Sequence, residues 1–471
     1  MSRSSHQFSS FRRPALSVLL GSTVLVSAAV AQGSLASLAK KAEAQGYRTG
    51  VVVQELSTGR VVFQHRSDEM FLPASNQKLL TTAAALWGLG ADYRFKTTFT
   101  LEAGVLRVHS GGDPNWSKGG PHDPAQVFGQ VAARLRQAGV TSIRRVELLP
   151  GRFTGPIRPE GWPRDQFDRL YCAPTGGLIL EAGTFLARIS PSAGAQAQVE
   201  VLSPPVNAVF GSGIKMTSQR KTTYSYWLSQ GERAGTSARF FGHGEIGTRV
   251  KPVEVRGVSQ TPGWLFAESL KTVLRRSGIA IDPGAAARDA DVLTWESGLE
   301  EALEPMLEDS SNFHAEQLFR VVGAELEEDG SFPGGSKAVR DVLSKRLELP
   351  PALVIADGSG LSRLNQVTPA FLVTLLRSLF RGEHTVLLAT SLPQGGVEGT
   401  LSRRFRNSPV SRRVWAKTGT INGVKCLSGI VRLSAGEILV FSILMNRRNG
   451  TSTAGAADIQ DQMVEAIYSR R

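Results

Sequence analysis

Hydrophobic and polar positions follow a helical period near both ends of the chain, with strand-like runs beside them. Residues 33–46 are predicted to form a helix, and so is the part of segment 71–90 that begins at Ser75 and ends at Gly88 and Gly90. Residues 48–66 are predicted to form two β-rich runs around a turn. Helical periodicity returns after residue 299, and three strand-like runs and a closing helix follow from residue 414. Because both ends combine helical and strand-like patterns in the same way, we expect them to fold together as one α/β domain.

The middle of the chain, from about residue 96 to residue 297, has a different texture. It combines short β-like runs and glycine- and proline-rich loops with two helical segments, residues 124–138 and 264–277. We therefore predict one or two domains inserted between the two halves of the first domain.

The first 31 residues have the pattern of a cleaved secretory signal. Three arginines precede an apolar run from about residue 14 to residue 30, which ends in the small-residue site Ala29-Val30-Ala31. An uncleaved anchor is the alternative, and the pair Arg12-Arg13 leaves a twin-arginine address open. We expect a mature protein that is exported and is periplasmic or associated with the cell wall.

Net charge and cysteine content limit the kinds of binding partner and metal site that we expect for this protein. The 471-residue chain carries a net charge of +13, which loss of the signal segment lowers by three. Export argues against nucleic acid, so we expect peripheral association with an anionic wall or membrane surface; a generally basic surface with no single partner is the alternative. The only cysteines, Cys172 and Cys426, are too few for a metal cluster, and their pairing stays open. No metal or cofactor is expected.

A serine and a lysine, Ser75 and Lys78, lie one turn apart where the helical segment 71–90 begins. A serine hydroxyl needs a base, and lysine can serve if burial and nearby positive charge lower its pKa. Residues three apart share a helix face, and the helix N-terminus favours a developing oxyanion. The S-x-x-K spacing occurs at three other places, and a plain helix cap is the alternative for this serine.

A second motif, S-x-N, occurs once, at residues 310–312, where another helix begins. Ser310 is a candidate for proton transfer, and Asn312 is a candidate for binding a substrate amide. The alternative is again a helix cap.

A third motif, K-T-G, also occurs once, at residues 417–419 on a predicted strand. Lys417 and Thr418 are candidates for binding a carboxylate, although neighbouring residues point to opposite faces of an ideal strand. Gly419 leaves room for a ligand backbone against the sheet.

The three motifs, in this order, are those of penicillin-binding proteins and serine β-lactamases. The chain resembles the D-alanyl-D-alanine carboxypeptidase/endopeptidases of the class C, low-molecular-mass penicillin-binding proteins, the peptidase S13 family. The resemblance covers nearly the whole mature chain and includes PASNQKLLTTAAAL, GGDPNW, SSNFHAEQLFR, ADGSGLSRLNQVTP, LPQGGVEGTL and KTGTINGVKCLSGIV.

This resemblance implies a transpeptidase-like (β-lactamase-like) α/β fold. Its five-stranded, mainly antiparallel sheet is flanked by helices, and two nested domains interrupt it. The predicted boundaries are 32–96 and 297–471 for the transpeptidase-like domain, 97–118 and 190–296 for inserted domain II, and 119–189 for inserted domain III.

The resemblance also implies a role for each motif residue. Ser75 would attack the carbonyl between two D-alanines of a peptidoglycan stem peptide, with Lys78 as base. Ser310, with Lys417, would deliver the proton to the leaving D-alanine. β-Lactam antibiotics, which mimic this dipeptide, would acylate the same serine. The residues implied around the substrate are Asn312 for the acyl-side amide, Lys417 and Thr418 for the carboxylate, Gly419, and the backbone N–H groups of Ser75 and Thr420 for the oxyanion.

Two positions leave specific questions. Ser311 stands where the family's common motif has aspartate, which puts the hydrogen bonding of that loop in doubt. Arg363, in the glycine-rich segment 357–363, is a candidate partner for a stem-peptide carboxylate. The alternative is a turn braced by Asp357.

Two rival functions remain on the same fold. One is a β-lactamase, which requires efficient deacylation, and the other is a non-catalytic β-lactam- or wall-binding protein. The sequence leaves open the balance between carboxypeptidase and endopeptidase activity, the third residue of the stem peptide, and whether the chain forms a homodimer.

Overall fold

The computed structural model describes residues 23–206, 210–217, 225–230 and 240–470. Most of the predicted signal segment, residues 1–22, lies outside these ranges. The helices are α1 (Thr23–Ala44), α2 (Gln77–Gly88), α3 (Pro124–Gln137), α4 (Pro262–Arg276), α5 (Leu299–Leu307), α6 (Asn312–Leu326), α7 (Phe332–Ser344), α8 (Pro369–Arg381), α9 (Thr385–Ser391) and α10 (Ala456–Tyr468). None of the helices in the described ranges combines the length and hydrophobicity of a bilayer-spanning segment.

The strands fall into four sheets. They are β1 (Tyr47–Glu55), β2 (Val61–His65), β3 (Arg94–Glu102), β4 (Val105–His109), β5 (Ser142–Ile143), β6 (Arg145–Leu149), β7 (Thr184–Ser190), β8 (Gln198–Ser203), β9 (Phe210–Thr217), β10 (Ser225–Gln230), β11 (Phe240–Gly247), β12 (Val253–Val258), β13 (Ala280–Ile281), β14 (Ala290–Gly298), β15 (Val414–Ile421), β16 (Val424–Arg432) and β17 (Ile438–Arg447).

The first sheet joins the two ends of the chain, as predicted. Its five strands lie in the order β15-β16-β17-β1-β2, and every neighbouring pair is antiparallel. Strand β1 pairs with β17 from Tyr47 opposite Arg447 to Glu55 opposite Leu439. This arrangement confirms the predicted five-stranded, antiparallel α/β fold.

Helices cover both faces of this sheet, which explains why β16 and β17 are almost continuously apolar. Side chains of α1 and α10, such as Leu35 and Met463, form one core with one face. Side chains of α2 and α5–α9, such as Leu80 and Phe319, form the other core. Helix α2 lies at the centre of that second layer, with ten of its twelve residues buried, as expected for a helix that is apolar on all sides.

The inserted residues build the other sheets. A four-stranded sheet has the order β14-β3-β4-β6, a two-stranded one pairs β13 with β5, and a six-stranded one has the order β8-β7-β12-β10-β11-β9. Helices α3 and α4 share a single hydrophobic core with the four-stranded sheet.

These sheets group the inserted residues differently from the predicted boundaries. The core around α3 and α4 takes side chains from all three predicted segments, 97–118, 119–189 and 190–296. The six-stranded sheet begins with β7, which crosses the predicted boundary between residues 189 and 190, and continues to β12. Strand pairing between distant segments sets this grouping, and local sequence texture does not report such pairing.

Candidate active site

Ser75 lies in a short 3₁₀ turn, Ala74–Asn76, which leads directly into α2. No side chain caps α2, so the hydroxyl of this serine is not used as a helix cap. Ala74 adopts a left-handed backbone conformation with φ of 45°, and Gly360 packs against it so closely that a Cβ there would lie 1.8 Å from the Ala74 carbonyl oxygen. The backbone around the serine is therefore held in an unusual geometry by a neighbouring loop.

Lys78 is completely buried, and its amine points at the serine. The Nζ atom lies 3.1 Å from Ser75 Oγ, 2.7 Å from Asn312 Oδ1 and 3.1 Å from the Ser359 carbonyl oxygen. Burial lowers the pKa of Lys78 to about 7, although the charges of Glu316 and Asp357 oppose the change. An amine with such a pKa can accept the serine proton near neutral pH.

The S-x-N motif reaches the same place through Asn312, the first residue of α6. Its Oδ1 accepts from Lys78, and its Nδ2 donates to the Tyr171 carbonyl at 2.9 Å. The cap of α6 is Ser311, whose hydroxyl accepts from the His314 N–H and contacts His314 Nδ1 at 2.7 Å. The serine that replaces aspartate therefore has a structural use.

Ser310 adopts a left-handed backbone conformation, with φ of 62°, immediately before that cap. Within the described residues, no hydrogen bond joins its hydroxyl to Ser75, Lys78 or Lys417. Its assignment as the proton donor thus stays a prediction. A non-glycine residue in this conformation next to a candidate nucleophile is typical of functional sites.

The K-T-G motif lies on β15, the edge strand of the five-stranded sheet. Lys417 is completely buried, and Thr418 is partly buried. Burial and the nearby charge of Lys78 hold the pKa of Lys417 well below its ordinary value, while Asp309 opposes them. Because two buried ammonium groups repel, protonation of one lysine disfavours protonation of the other.

Strand β15 passes very close to the Ser75 turn at Gly419. A Cβ at this position would lie 3.0 Å from the Ser75 backbone nitrogen and 2.9 Å from the Pro73 carbonyl oxygen. On the outer edge, Ala416 donates its N–H to the Pro393 carbonyl at 3.3 Å. Because backbone directions alternate along a strand, the N–H groups of Thr418 and Thr420 also point to this outer edge.

The segment 357–363 forms the floor under Lys78, and Asp357 braces it. This buried carboxylate accepts from the N–H groups of Gly360 and Ser362, from Asn365 Nδ2 and from Trp162 Nε1, at 2.6–2.9 Å. The braced-turn interpretation therefore describes this loop. Arg363 is exposed and donates to the Asn422 carbonyl at 2.8 Å, and its role toward a substrate stays a prediction.

The sequence prediction missed three residues that assemble the site. Asn76 donates to the Lys417 carbonyl at 2.9 Å, and its Oδ1 accepts from Ser428 at 2.6 Å, so it ties the Ser75 turn to β15 and β16. Glu316 accepts from two backbone N–H groups of the floor, and Ser359 contributes the carbonyl below Lys78. Only Glu316 had a sequence signal, since it follows Asn312 by four residues on the same helix face.

The surroundings of this site add three facts. A cleft of about 550 Å³, lined by Ser310, Asn312 and Tyr171 among others, opens beside the S-x-N motif. Cys172 and Cys426 are buried free thiols, so the open question of a disulfide is answered. Among the described residues, no group of three or more histidine, cysteine or acidic side chains is arranged to hold a metal ion.

Known proteins resemble this chain in sequence and in fold. The model of the D-Ala-D-Ala carboxypeptidase 3 (S13) family matches residues 31–469. A D-alanyl-D-alanine carboxypeptidase from Actinomadura sp. (strain R39) is 29% identical over 447 residues, covering 88% of this chain and 80% of the relative. The carboxypeptidase DacB of Haemophilus influenzae is 25% identical over 425 residues, covering 85% and 86%. The crystal structure of penicillin-binding protein 4 (dacB) from H. influenzae has the same fold, with a TM-score of 0.75 at 23% identity over 92% of this chain and 99% of that one.

Proposed function

Because the chain belongs to the D-Ala-D-Ala carboxypeptidase 3 (S13) family of serine peptidases, we propose that Ser75 is its nucleophile and Lys78 its general base. The observation that carries this proposal is the completely buried Lys78 amine, 3.1 Å from the Ser75 hydroxyl. The substrate class is a peptidoglycan stem peptide that ends in D-Ala-D-Ala.

In the acylation step, neutral Lys78 takes the Ser75 proton while Oγ bonds to the carbonyl carbon between the two D-alanines. The resulting oxyanion accepts hydrogen bonds from the N–H groups of Ser75 and Thr420, which the close approach at Gly419 supports. Each such donor is worth about 2.7–4 kcal/mol in related serine enzymes.

Collapse of the tetrahedral adduct breaks the peptide C–N bond, and the departing amine takes the hydroxyl proton of Ser310. The proton that Lys78 took from Ser75 replaces it, so Lys78 becomes neutral again. Protonated Lys417 and the Thr418 hydroxyl hold the carboxylate of the leaving D-alanine, and Asn312 binds the acyl-side amide. Water then hydrolyses the ester and restores the serine. A β-lactam would form the same ester and leave slowly, because its leaving group stays attached to the acyl part.

The test uses a fluorescent penicillin and a D-Ala-D-Ala peptide. Ser75→Ala should lose both covalent labelling and D-alanine release, and Lys78→Ala should acylate far more slowly. The matched control is Ser37→Ala, because Ser37 and Lys40 have the same S-x-x-K spacing on α1 but are exposed. Retained labelling in the first variant would place the nucleophile elsewhere.

The two rival functions give different results in the same assay. A β-lactamase would turn the penicillin over, whereas the proposed enzyme gives a stoichiometric burst and a persistent adduct. A non-catalytic binder would be labelled without releasing D-alanine. Purified muropeptides, with products identified by mass, distinguish carboxypeptidase from endopeptidase activity, because only the leaving group differs.

We also propose that a basic surface beside the site keeps the exported enzyme on the wall. Residues 402–413, directly before β15, contain five arginines, and in the described part of the chain only Arg404 forms an ion pair, with Asp461. Wall peptides carry carboxylates that such a surface attracts.

Co-sedimentation with purified peptidoglycan tests this surface. Replacement of Arg403, Arg406 and Arg412 by serine should reduce binding at low salt, and added salt should abolish the difference. Equal binding by this variant, or preferential binding of the wild type to anionic vesicles over peptidoglycan, would contradict the proposal.

The inserted residues are proposed to form two units with boundaries that follow the sheets. One unit comprises residues 94–183 and 259–298. The other is inserted into it along the sequence and comprises residues 184–258, with the six-stranded sheet. Limited proteolysis should release fragments cut near 183 and 259. Cuts that cluster near 118 and 189 would favour the sequence-based boundaries.

A further inference from the structure

Glu316 is a completely buried glutamate on α6, one turn after Asn312. Its Oε2 accepts from the Gly358 N–H at 2.9 Å, and its Oε1 accepts from the Ser359 N–H at 2.8 Å. Within the described residues, no lysine or arginine forms an ion pair with it. A buried carboxylate without a cationic partner is costly, so these two backbone contacts are its main compensation.

The two amides bound by Glu316 belong to the loop that touches the base. The carbonyl of Ser359 accepts from Lys78 Nζ at 3.1 Å, and the Gly358 carbonyl accepts from the Thr81 hydroxyl on α2 at 2.8 Å. The loop is thus held by hydrogen bonds to both α6 and α2. Loss of the Glu316 contacts would release the carbonyl that supports the amine.

The charged groups around Lys78 determine the direction in which Glu316 shifts the pKa of this lysine. Lys78 faces Glu316 from α6, Asp357 from the floor loop and Lys417 from β15. The two carboxylates favour the ammonium form of Lys78, and burial and Lys417 oppose it. Burial and the charge of Asp357 raise the pKa of Glu316 to about 8, while the N–H groups of Gly358 and Ser359, one on each oxygen, favour its carboxylate form. One turn later on α6 lies Arg320, whose guanidinium is bonded to the carbonyls of Gly330 and Thr154.

We propose, on the basis of the function proposed above, that Glu316 is a positioning residue for acylation. It holds the Ser359 carbonyl against Lys78, and its negative charge stabilises the ammonium group that forms when Lys78 takes the Ser75 proton. The proton remains on Lys78 until the leaving group receives it. Glu316 therefore stabilises the protonated form of Lys78 without contacting the substrate.

The experiment compares acylation by a fluorescent penicillin from about pH 5.5 to pH 9.5 in the wild type and two variants. Glu316→Gln keeps the size and removes the charge, and Glu316→Asp keeps the charge and shortens the reach. Glu55→Gln is the matched control, because Glu55 is a buried glutamate on β1, outside the site, bonded to Thr58 and Arg60. Thermal unfolding and labelling stoichiometry establish that each variant is folded.

We expect the acid limb of the Glu316→Gln profile to move to lower pH by about one unit, since removal of a nearby negative charge lowers the pKa of an amine. Its maximal acylation rate should fall about tenfold or more, because the glutamine NH₂ cannot accept from both amides. Glu316→Asp should keep the wild-type acid limb with a reduced maximal rate. Glu55→Gln should match the wild type in both the position of the acid limb and the maximal rate.

A Glu316→Gln profile that superimposes on the wild type would overturn the inference, as would an equal displacement of the limb in the Asp and Gln variants. If Glu316→Gln does not fold, the Asp variant decides: a displaced limb in a folded, charged variant contradicts the charge argument. Failure here leaves wild-type labelling at Ser75 intact. Failure of the proposed function would instead appear as labelling that survives Ser75→Ala.

Discussion

Replacement of Gly419 by alanine tests the contact between β15 and the Ser75 turn. The added Cβ would lie 2.9 Å from the Pro73 carbonyl oxygen, 3.0 Å from the Ser75 nitrogen and 3.1 Å from Cys426 Cβ. Backbone atoms lie on one side and a fully buried side chain on the other, so neither can move aside freely. The strand must therefore shift away from the turn.

The size of the shift follows from these distances. Ordinary van der Waals contact begins near 3.4 Å, so relief requires a movement of about 0.5 Å. Oxyanion donors work within about 2.7–3.1 Å, so such a shift removes the contribution of one donor, about 2.7–4 kcal/mol. Acylation should slow by about 10²–10³-fold. Overpacking itself costs only about 1–3 kcal/mol, which leaves the protein folded.

The assay is stopped-flow acylation by a fluorescent penicillin, with thermal unfolding measured on the same samples. Gly129→Ala on α3 is the matched control, because a Cβ there meets nothing within 4 Å, and it should acylate at the wild-type rate. If Gly419→Ala were folded and acylated within about threefold of the wild type, the assignment of the oxyanion hole to this contact would be wrong.

Three further predictions follow from the described contacts. The wild-type acylation rate should fall as the pH drops below about 7, because Lys78 must be neutral to act as base. The alkaline limb should lie below the usual range of lysine, because Lys417 must be protonated and its pKa is lowered; a rate independent of pH would contradict both assignments. Asn76→Ala should reduce the free energy of unfolding by about 1–3 kcal/mol, since it leaves a buried carbonyl without its donor, and should slow acylation; unchanged denaturant midpoints would count against the contact. Cys172 and Cys426 should resist thiol reagents in the native protein and titrate as two free thiols after unfolding, because burial raises the pKa of each to about 12; one disulfide recovered under denaturing conditions would refute this.

Much of the fold and site was predictable because the informative patterns are local. The spacing of Ser75 and Lys78 places both on one helix face wherever that helix lies, and the structure brings their polar atoms to 3.1 Å. The strand-like patterns from residue 414 onwards and in the segment 48–66 correctly predicted that the two ends fold together, and the family resemblance implied the five-stranded sheet that they form.

The rest depends on pairing between distant segments. Strands β9 and β11 are parallel neighbours within the six-stranded sheet, and so are β10 and β12, and no local period indicates that order. The same holds for the floor of the site: the contact of Glu316 with the Gly358 and Ser359 amides exists only after α6 and the loop have packed. The S-x-N loop was partly predictable. The sequence located the motif, but the use of Ser311 as the cap of α6 was not expected, because this serine stands where the common motif has aspartate.

The pairing of β1 with β17 has a consequence for how the protein matures. Strand β1 lies near the start of the chain and its partner near the end, about 390 residues later, so loop closure over almost the whole polypeptide must precede a complete central sheet. Strand β15, which lies against the Ser75 turn, also follows that serine by about 340 residues. A chain that stops before β15 would therefore carry Ser75 without Lys417 and Gly419 beside it, and we expect such a chain to be inactive.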